Sequence, residues 1–321
     1  MKNNSIKILP SINSFEEYEK LKVKIEIFEN AAKEIIHRYQ LPVDLPLNIF
    51  SDGTNIVFSY GDQRVIKIFP PFHNDQFKAE LLVLQHIQGK LSIMTPTVEH
   101  YGDVSGWLYI VMTKIPGTLL EELWDKMEFS NKIIIIRELG SLIREVHAIS
   151  TDGLEEIDSH WSQFIEDQIN YCKEKHQFSL PKLLLEEIPS YLSSIKKSLV
   201  QINKSVILTG EYTPMNFLVN QLDGVWHIAG LIDFGDAMLG SPEYDLLGPG
   251  AFLIQGDKNL LREFLASYGY SKDLMTPLLS RQLTALMLLH KYSNLNVQIR
   301  IKDWKNKIHH LEDLEKLVWG L

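Results

Sequence analysis

The sequence predicts an α+β, bilobal fold, with a small N-terminal lobe built on an antiparallel sheet and a larger, mainly helical C-terminal lobe. Two observations predict this division. Short β-branched and aromatic runs separated by turn residues dominate the chain as far as Pro116. After Gly117 the apolar residues mostly recur at three- and four-residue steps, which is typical of amphipathic helices. We therefore expect an N-terminal helical extension over residues 1–42, a sheet lobe over residues 43–116 and a helical lobe over residues 117–321.

The N-terminal lobe begins with helical periodicity. Apolar residues spaced for one face predict a single helix over residues 14–39, with Ser14 and Glu17 in the pattern of a capping box. Runs at residues 47–50, 56–60 and 65–69 then predict an antiparallel meander. A helix over residues 77–87 follows, and two more strands are expected at residues 96–101 and 107–115.

The C-terminal lobe is expected to be mostly helical, with short strands at its centre. Helical spacing predicts helices over residues 130–149, 159–176, 182–198, 260–268, 276–292 and 303–318. Strands are expected at residues 206–208, 217–220 and 225–232.

Composition excludes some classes of partner. Of 321 residues, 45% are hydrophobic and 23% charged, as in ordinary globular proteins. A net charge of −9 makes nucleic acid and anionic membrane poor partners and favours a cationic or polyhydroxylated small molecule. Cys172 is the only cysteine, and the N-terminus lacks the pattern of a signal peptide, so we expect a cytoplasmic protein. Nothing in the sequence indicates an oligomeric state.

Three polar residues form the most informative pattern. Glu211 follows a predicted strand and a glycine, and Asn216 lies five residues later, before the next strand. Asp233 follows a further strand and so is expected at the same edge. This order is how phosphotransferases build a magnesium–nucleotide site. Glu211 would orient an acceptor hydroxyl, while Asn216 and Asp233 would offer hard oxygen ligands to Mg²⁺.

Lys67 and Glu80 form a second candidate pair. Lys67 lies in the middle of an apolar strand, where it could neutralise the α- and β-phosphates of a nucleotide, and Glu80 on the next helix could orient it. The alternative for Lys67 alone is an edge-strand lysine whose charged end reaches solvent.

Two further segments are weaker candidates for nucleotide contacts. Main-chain groups freed where the fifth strand ends, at Thr113 and Ile115, could bind an adenine edge, with Met112 packing behind it. The turn at residues 51–55 could cover phosphates through its amides, but an ordinary hairpin turn is as good an interpretation.

Together these motifs resemble the aminoglycoside phosphotransferase and choline kinase group, small-molecule kinases with a protein-kinase-like fold. The resemblance runs from about Leu41 to the C-terminus. It is strongest at Lys67 with Glu80, in LIREVH (residues 142–147), and in TGEYTPMNFLV and LIDFGDAMLGSPEYDLL. It implies that Lys67 contacts phosphates and Glu80 orients it, that Glu211 stands at the position of the catalytic aspartate, and that Asn216 and Asp233 bind metal. It also implies that Asp245 braces the catalytic loop. His147 matches a family histidine, for which we favour a structural role in the core.

Two positions depart from the family pattern. Thr209 stands where the catalytic loop usually has a histidine, and Glu211 stands where it has an aspartate. Glutamate keeps the charge and nearly the basicity, since the two reference pKa values differ by about 0.4 unit. Its longer reach matters more, because displacing a catalytic group by about 1 Å can cost on the order of 100-fold in rate.

The resemblance implies a kinase that uses Mg²⁺ and ATP or GTP to phosphorylate a hydroxyl of an aminoglycoside or a related amino sugar. Residues 151–200 hold nine acidic residues against five lysines, which would suit a cationic acceptor, although solvated helix faces explain most of them. Two alternatives stay open. One is a kinase for another small alcohol, and the other is a nucleotide-binding pseudokinase, suggested by Thr209 and Glu211.

Overall fold

The computed structural model describes residues 8–51 and 53–321 of the chain. It consists of two compact units. The first extends to Gln88 and includes Thr95–Pro116, and the second comprises Gly89–Met94 and Gly117–Leu321. Two sequence-based interpretations reach outside the described residues: the turn at 51–55 includes Asp52, and the signal-peptide argument concerns residues 1–7.

The N-terminal helical region is divided, so the prediction of one helix over residues 14–39 is wrong. The structure has α1 (Phe15–Lys22) and α2 (Ile25–Arg38), separated at Lys24, which has the non-helical angles φ −93° and ψ 66°. No glycine or proline marks this break. The Tyr18 hydroxyl of α1 donates a 2.7 Å hydrogen bond to the Thr54 carbonyl. Such tertiary contacts override local helical periodicity.

The first unit contains a five-stranded antiparallel sheet in the order β1-β2-β3-β5-β4. Its strands are β1 (Leu47–Ile49), β2 (Ile56–Tyr60), β3 (Arg64–Phe69), β4 (Val98–Val104) and β5 (Trp107–Thr113), and α3 (Asn74–Ile87) follows β3. In this order β3 is the central strand, with Lys67 paired to Val57 on β2 and to Ile110 on β5. Lys67 is therefore not an edge-strand lysine.

The alternation of side chains along β3 separates the core from the functional pair. Ile66 and Ile68 are fully buried and belong to the apolar cluster that includes Phe28 and Ile35 of α2. Because successive side chains of a strand point to opposite faces, Lys67 lies on the other face, where it contacts α3.

The second unit is mainly helical, as predicted. Its helices are α4 (Leu120–Leu123), α5 (Phe129–Ala148), α6 (Trp161–Lys175), α7 (Lys182–Val200), α8 (Leu247–Pro249), α9 (Lys258–Tyr268), α10 (Pro277–Leu289), α11 (Leu295–Gln298) and α12 (Leu311–Val318). At the close contact between α5 and α9, a Cβ on Gly140 would lie 2.5 Å from the Phe264 carbonyl oxygen, so the helices approach this closely only because residue 140 is glycine.

Five short strands in the second unit form two small antiparallel sheets. They are β6 (Thr118–Leu119), β7 (Val206–Leu208), β8 (Phe217–Leu222), β9 (Val225–Leu231) and β10 (Met238–Gly240), in the orders β6-β8-β9 and β10-β7. The Gly89–Met94 segment belongs to this unit because Met94 forms a bridge with Gly230 of β9.

Two predicted helices of the second unit are shorter in the structure. The helix expected over residues 276–292 ends at Leu289, where His290 turns to an extended ψ of 139°. The helix expected over residues 303–318 is instead a 3₁₀ turn at Trp304–Lys307 followed by α12. The N-terminus of α12 is capped by the Asp313 carboxylate, which accepts a hydrogen bond from the His310 amide. Over residues 8–51 and 53–321, no helix combines the length and apolar character that crossing a membrane requires.

Candidate active site

Strand pairing in the second unit brings two loops to the same place. Residues 209–216 connect β7 to β8, and residues 232–237 connect β9 to β10. Leu208 pairs with Met238, so one loop begins beside the end of the other. Phe217 pairs with Leu231, which brings their other ends together. The sheet register thus places the loop of Glu211 and Asn216 next to the loop of Asp233, as the sequence predicts.

The start of the Glu211 loop is held by a buried carboxylate. Asp245, whose side chain is 0% exposed, accepts 3.1 Å and 3.0 Å hydrogen bonds from the amides of Thr209 and Gly210. Gly210 has φ +76°, and a Cβ there would lie 2.8 Å from the Asp236 carbonyl oxygen. The tight turn before Glu211 therefore requires glycine.

His147 completes the surroundings of Asp245. Its Nε2 lies 3.1 Å from Asp245 Oδ2 and its Nδ1 lies 2.9 Å from the Tyr268 hydroxyl. Asp245 can only accept as a carboxylate, so Nε2 of His147 carries the proton of this bond. Both ring nitrogens are used within the core, which fits the structural role that we favour for His147.

Asn216 connects the two loops. Its side-chain amide nitrogen donates a 3.0 Å hydrogen bond to the main-chain carbonyl of Glu211. The main-chain carbonyl of Asn216 accepts a 3.0 Å hydrogen bond from the Ile232 amide. The first bond fixes which end of the amide is oxygen, the atom that a magnesium ion would need. Asn216 is thus tied both to the residue that carries the first carboxylate and to the residue before Asp233.

Asp233 has an unusual backbone. Its φ is +64°, in the left-handed region that few residues other than glycine adopt, and its Oδ1 accepts a 3.2 Å hydrogen bond from the Gly235 amide. Residues held in such conformations concentrate at functional sites. The neighbouring Phe234 is fully buried and anchors the loop.

The donor set of the two loops fits magnesium. Within the described parts of the chain, no group of three or more histidine, cysteine, aspartate or glutamate side chains could hold a metal ion. Mg²⁺ needs fewer protein ligands, because one or two protein oxygens suffice when nucleotide phosphates and water complete its shell. Asn216 and Asp233 are residues of that kind.

In the first unit, Lys67 and Glu80 form a buried ion pair. Lys67 Nζ lies 2.6 Å from Glu80 Oε2, and the two side chains are 5% and 1% exposed. Burying both charges is costly unless the geometry is good and further hydrogen bonds compensate for the lost hydration. The predicted partnership is present, and Lys67 also lies 5.3 Å from the centroid of the Phe69 ring.

The residues predicted to contact the base lie at the end of β5. Met112 is buried and pairs with Val65, while the Thr113 hydroxyl accepts a 2.8 Å hydrogen bond from the Thr97 amide. Ile115 is also buried. The Thr113 N–H donates a 3.0 Å hydrogen bond to the Thr97 carbonyl, so the prediction that this group is freed is wrong. Contact of the segment with a nucleotide base remains a prediction.

The segment His290–Tyr292, which the sequence analysis placed in a helix, also reaches these loops. Asp236 Oδ1 accepts hydrogen bonds of 3.1 Å from Lys291 Nζ and 2.8 Å from the Tyr292 hydroxyl. Burial disfavours the charged ammonium, but Asp236 and Tyr292 outweigh it and raise the pKa of Lys291. Asn294 is the N-cap of α11, but the predicted helix already ended before it, so this signal does not mark residues 290–292 as non-helical.

The acidic residues of segment 151–200 are mostly occupied elsewhere. Glu186 pairs with Lys173 and Glu166 with Lys196, both on partly or largely exposed surface. Trp161, which begins α6, is buried and donates its indole N–H to the Leu199 carbonyl. These residues belong to helix packing and solvated faces.

Comparison with known proteins identifies the family. The model of the "phosphotransferase enzyme family" matches residues 51–278, most of the chain. A curated relative, lysine-specific demethylase JMJ21 of Arabidopsis thaliana, is 20% identical over 289 residues, which cover 70% of this chain and 30% of that protein. The chain therefore spans under a third of the length of that curated relative.

Solved structures show the same fold. The GDP complex of wild-type aminoglycoside 2'-phosphotransferase-IIIa aligns with a TM-score of 0.66 at 19% identity, covering 89% of this chain and 96% of that one. The aminoglycoside phosphotransferase APH(3'')-Id from Streptomyces rimosus aligns at 0.56 and 18% identity, covering 81% and 98%. The protein-kinase-like fold predicted from the sequence is confirmed. The chain belongs to the phosphotransferase enzyme family.

Proposed function

We propose that the protein transfers the γ-phosphate of ATP or GTP to a hydroxyl group of an aminoglycoside or a related amino sugar. One observation carries the proposal: Glu211 lies on a loop braced by buried Asp245, and Asn216 ties that loop to the residue before Asp233. Similarity to aminoglycoside phosphotransferases solved with GDP, with ADP, or with streptomycin and ATP supports both the donor and the acceptor class.

In this proposal Glu211 acts on the acceptor. Its carboxylate accepts the proton of the acceptor hydroxyl as that oxygen attacks the γ-phosphorus, the bond from phosphorus to the β–γ bridging oxygen breaks, and the nucleoside diphosphate leaves. The loose transition state makes few covalent demands, so positioning and charge neutralisation supply most of the rate. The fixed backbone of the loop is what positions Glu211, and a loop set for this residue accommodates its extra methylene.

The remaining residues would bind the nucleotide that donates the phosphoryl group, together with its Mg²⁺. Asn216 and Asp233 would hold Mg²⁺, which neutralises phosphate charge when bound. Lys67, oriented by Glu80, offers a cation to the α- and β-phosphates. Main-chain groups near Thr113 and Ile115, with Met112 beside them, would contact the base.

The proposal is tested by an acceptor panel. The purified protein is incubated with Mg²⁺ and with ATP or GTP in turn, in the presence of aminoglycosides, amino alcohols and simple sugars, and each acceptor is analysed by mass spectrometry for an added phosphoryl group. We expect addition to an aminoglycoside or amino sugar. Addition only to another small alcohol would contradict the acceptor class. Nucleotide-dependent thermal stabilisation with no transfer to any acceptor would indicate a pseudokinase.

A matched variant tests the metal assignment. Asp233→Asn should weaken magnesium-dependent nucleotide binding, because one anionic ligand becomes neutral. Calorimetric titration with ATP or GTP, with and without Mg²⁺, measures this. An Asp233→Asn protein with unchanged magnesium dependence would remove Asp233 from the site.

A further inference from the structure

The segment His290–Tyr292 follows the end of α10 and reaches both active-site loops. As described above, Lys291 and Tyr292 bind Asp236, three residues after Asp233. His290 reaches the other loop, where its Nε2 lies 3.4 Å from the carbonyl oxygen of Gly210. One short segment thus contacts the loop of Glu211 and the loop of Asp233.

The hydrogen-bond partners of His290 determine its tautomer. The Gly210 carbonyl can only accept, so Nε2 must carry a proton. The Tyr292 amide can only donate, and it lies 3.2 Å from Nδ1, so Nδ1 must be unprotonated. Both contacts require the same species, the neutral imidazole with its proton on Nε2.

The ring of His290 is held in place by Tyr244. The two rings stack with centroids 4.7 Å apart and planes 15° from parallel, and the Tyr244 hydroxyl accepts a 2.8 Å hydrogen bond from the Lys291 amide. Burial lowers the pKa of His290 to about 4, opposed by the hydrogen bond to the Gly210 carbonyl and by Asp236, while Lys175 and Lys291 lower it further. The neutral ring is therefore the species present near pH 7.

Gly210 is contacted on both of its peptide groups. Asp245 accepts from its N–H, and His290 donates to its C=O, which belongs to the peptide bond that leads into Glu211. Gly210 has φ +76° and can adopt more backbone conformations than any other residue. Hydrogen bonds to both the N–H and the C=O of Gly210 restrict its backbone conformation. They thereby fix the direction of the chain at Glu211.

We propose that His290 is a positioning residue for Glu211, whose Nε2–H holds the Gly210 carbonyl in the conformation that the phosphoryl transfer requires. This inference rests on the function proposed above, because it acts through Glu211. The contact is 3.4 Å long, which is longer than most N–H···O hydrogen bonds, so we expect this bond to contribute little to overall stability.

Two substitutions separate the hydrogen bond from the packing. His290→Phe keeps an aromatic ring against Tyr244 but loses the N–H, whereas His290→Gln keeps a donor near the position of Nε2. His100→Phe is the control, since His100 also stacks on a tyrosine, Tyr39, at 3.9 Å and 10°, in the first unit. We expect His290→Phe to lower kcat about tenfold with little change in nucleotide Kd, because a small displacement of a catalytic group has such an effect. His290→Gln should recover most of this loss, and His100→Phe should leave kcat unchanged.

A double-variant cycle tests whether His290 acts through Glu211. In a Glu211→Gln background, His290→Phe should cause little further loss of kcat, because the group that it positions has been removed. Equal losses in both backgrounds would overturn the proposal. So would an equal loss of kcat in His290→Phe and His290→Gln.

Hydrogen exchange gives a readout that needs no acceptor. Amides in the peptide covering residues 209–216 should exchange about tenfold faster in His290→Phe than in the wild type, with other regions unchanged. Unchanged exchange would contradict the positioning role. If this result is positive and no acceptor is phosphorylated, the proposed function fails while the contact with the loop stands.

The wild-type protein provides a test that does not depend on a variant that folds. In ¹⁵N-labelled protein, NMR should show a histidine with a protonated Nε2 and an unprotonated Nδ1 whose signal stays constant from pH 8 to about pH 5. His147 and His176 also donate from Nε2 to buried acceptors, so the signal that is missing from the spectrum of His290→Gln identifies His290. A proton on Nδ1 would exclude the bond to Gly210 and overturn the proposal.

Discussion

Asp245 accepts a 3.0 Å hydrogen bond from the amide of Gly210, one residue before Glu211. The same carboxylate accepts from the Thr209 amide and from the His147 ring, so three donors converge on it. A carboxylate used in this way supports the loop and does not act on a substrate. Asp245 therefore connects the folding of the second unit to the position of Glu211.

The first prediction concerns Asp245→Asn. An asparagine would direct an N–H₂ group at one or more of the three donors, leaving buried groups unpaired. We expect the free energy of unfolding to fall by about 3 kcal/mol and kcat by on the order of 10- to 100-fold. Urea unfolding and steady-state kinetics measure the two effects. An Asn variant as stable and active as the wild type would show that Asp245 does not brace the loop.

The second prediction uses two glycines with similar backbone angles. Gly210 has φ +76° and a Cβ there would meet Asp236 at 2.8 Å, whereas Gly224 has φ +85° and nothing lies within 4 Å. Gly224→Ala should cost only the backbone strain, about 1 kcal/mol, with normal turnover. Gly210→Ala should cost more and should also lower kcat, because relieving the contact moves the loop. Equal effects of the two substitutions on kcat would contradict this.

The third prediction separates stability from binding at the Lys67–Glu80 pair. Glu80→Gln should destabilise the protein by about 3 kcal/mol, because it leaves a buried ammonium without its counter-charge. Replacing both residues, as Lys67→Met with Glu80→Leu, should restore most of the stability, since apolar pairs often substitute well for buried ion pairs. Nucleotide binding should not return in the double variant. Thermal unfolding with and without ATP would test both parts, and recovered binding would exclude Lys67 from the nucleotide site.

The fourth prediction addresses Glu211. Glu211→Gln should lower kcat on the order of 10³-fold with little change in nucleotide affinity, because the amide cannot accept the proton. Glu211→Asp keeps the charge but shortens the side chain by about 1 Å, so a loop set for glutamate should lose on the order of 100-fold. Full activity of the Gln variant would remove Glu211 from the mechanism.

The fifth prediction is a pH dependence of stability. The pKa of His290 is lowered from 6.5 to about 4 in the folded protein, so between these values the unfolded chain binds the proton more readily. Its contribution to stability is therefore complete above about pH 6.5 and is lost as the pH falls toward 4, about 3 kcal/mol in total. Because glutamine does not titrate, the wild type should lose stability relative to His290→Gln as the pH falls over this range. A difference independent of pH would show that His290 is not buried in its neutral form.

Sequence reasoning succeeded where one regular element decides the position of a side chain. Lys67 and Glu80 could be paired because a strand alternates its side chains and a helix follows it directly. Asn216 and Asp233 could be placed together because both lie at strand ends. The fold followed from the same periodicities.

It failed where tertiary contacts decide the backbone. Neither Lys24 nor His290 is marked by glycine or proline, and apolar spacing continues past both. α1 binds a distant turn through Tyr18, and α10 ends where His290 meets Gly210 and Tyr244, which lie at least 46 residues away in sequence. No local pattern contains that information.

The hydrogen bonds that His290, Lys291 and Tyr292 make to the two loops limit the insertions and deletions that this segment can tolerate. Because the contacts belong to consecutive residues, inserting or deleting a single codon within the segment would displace the Gly210 and Asp236 contacts together. Surface loops commonly absorb such length changes, but this connection between α10 and α11 should not. We expect its length to be inherited unchanged even where the flanking helices diverge.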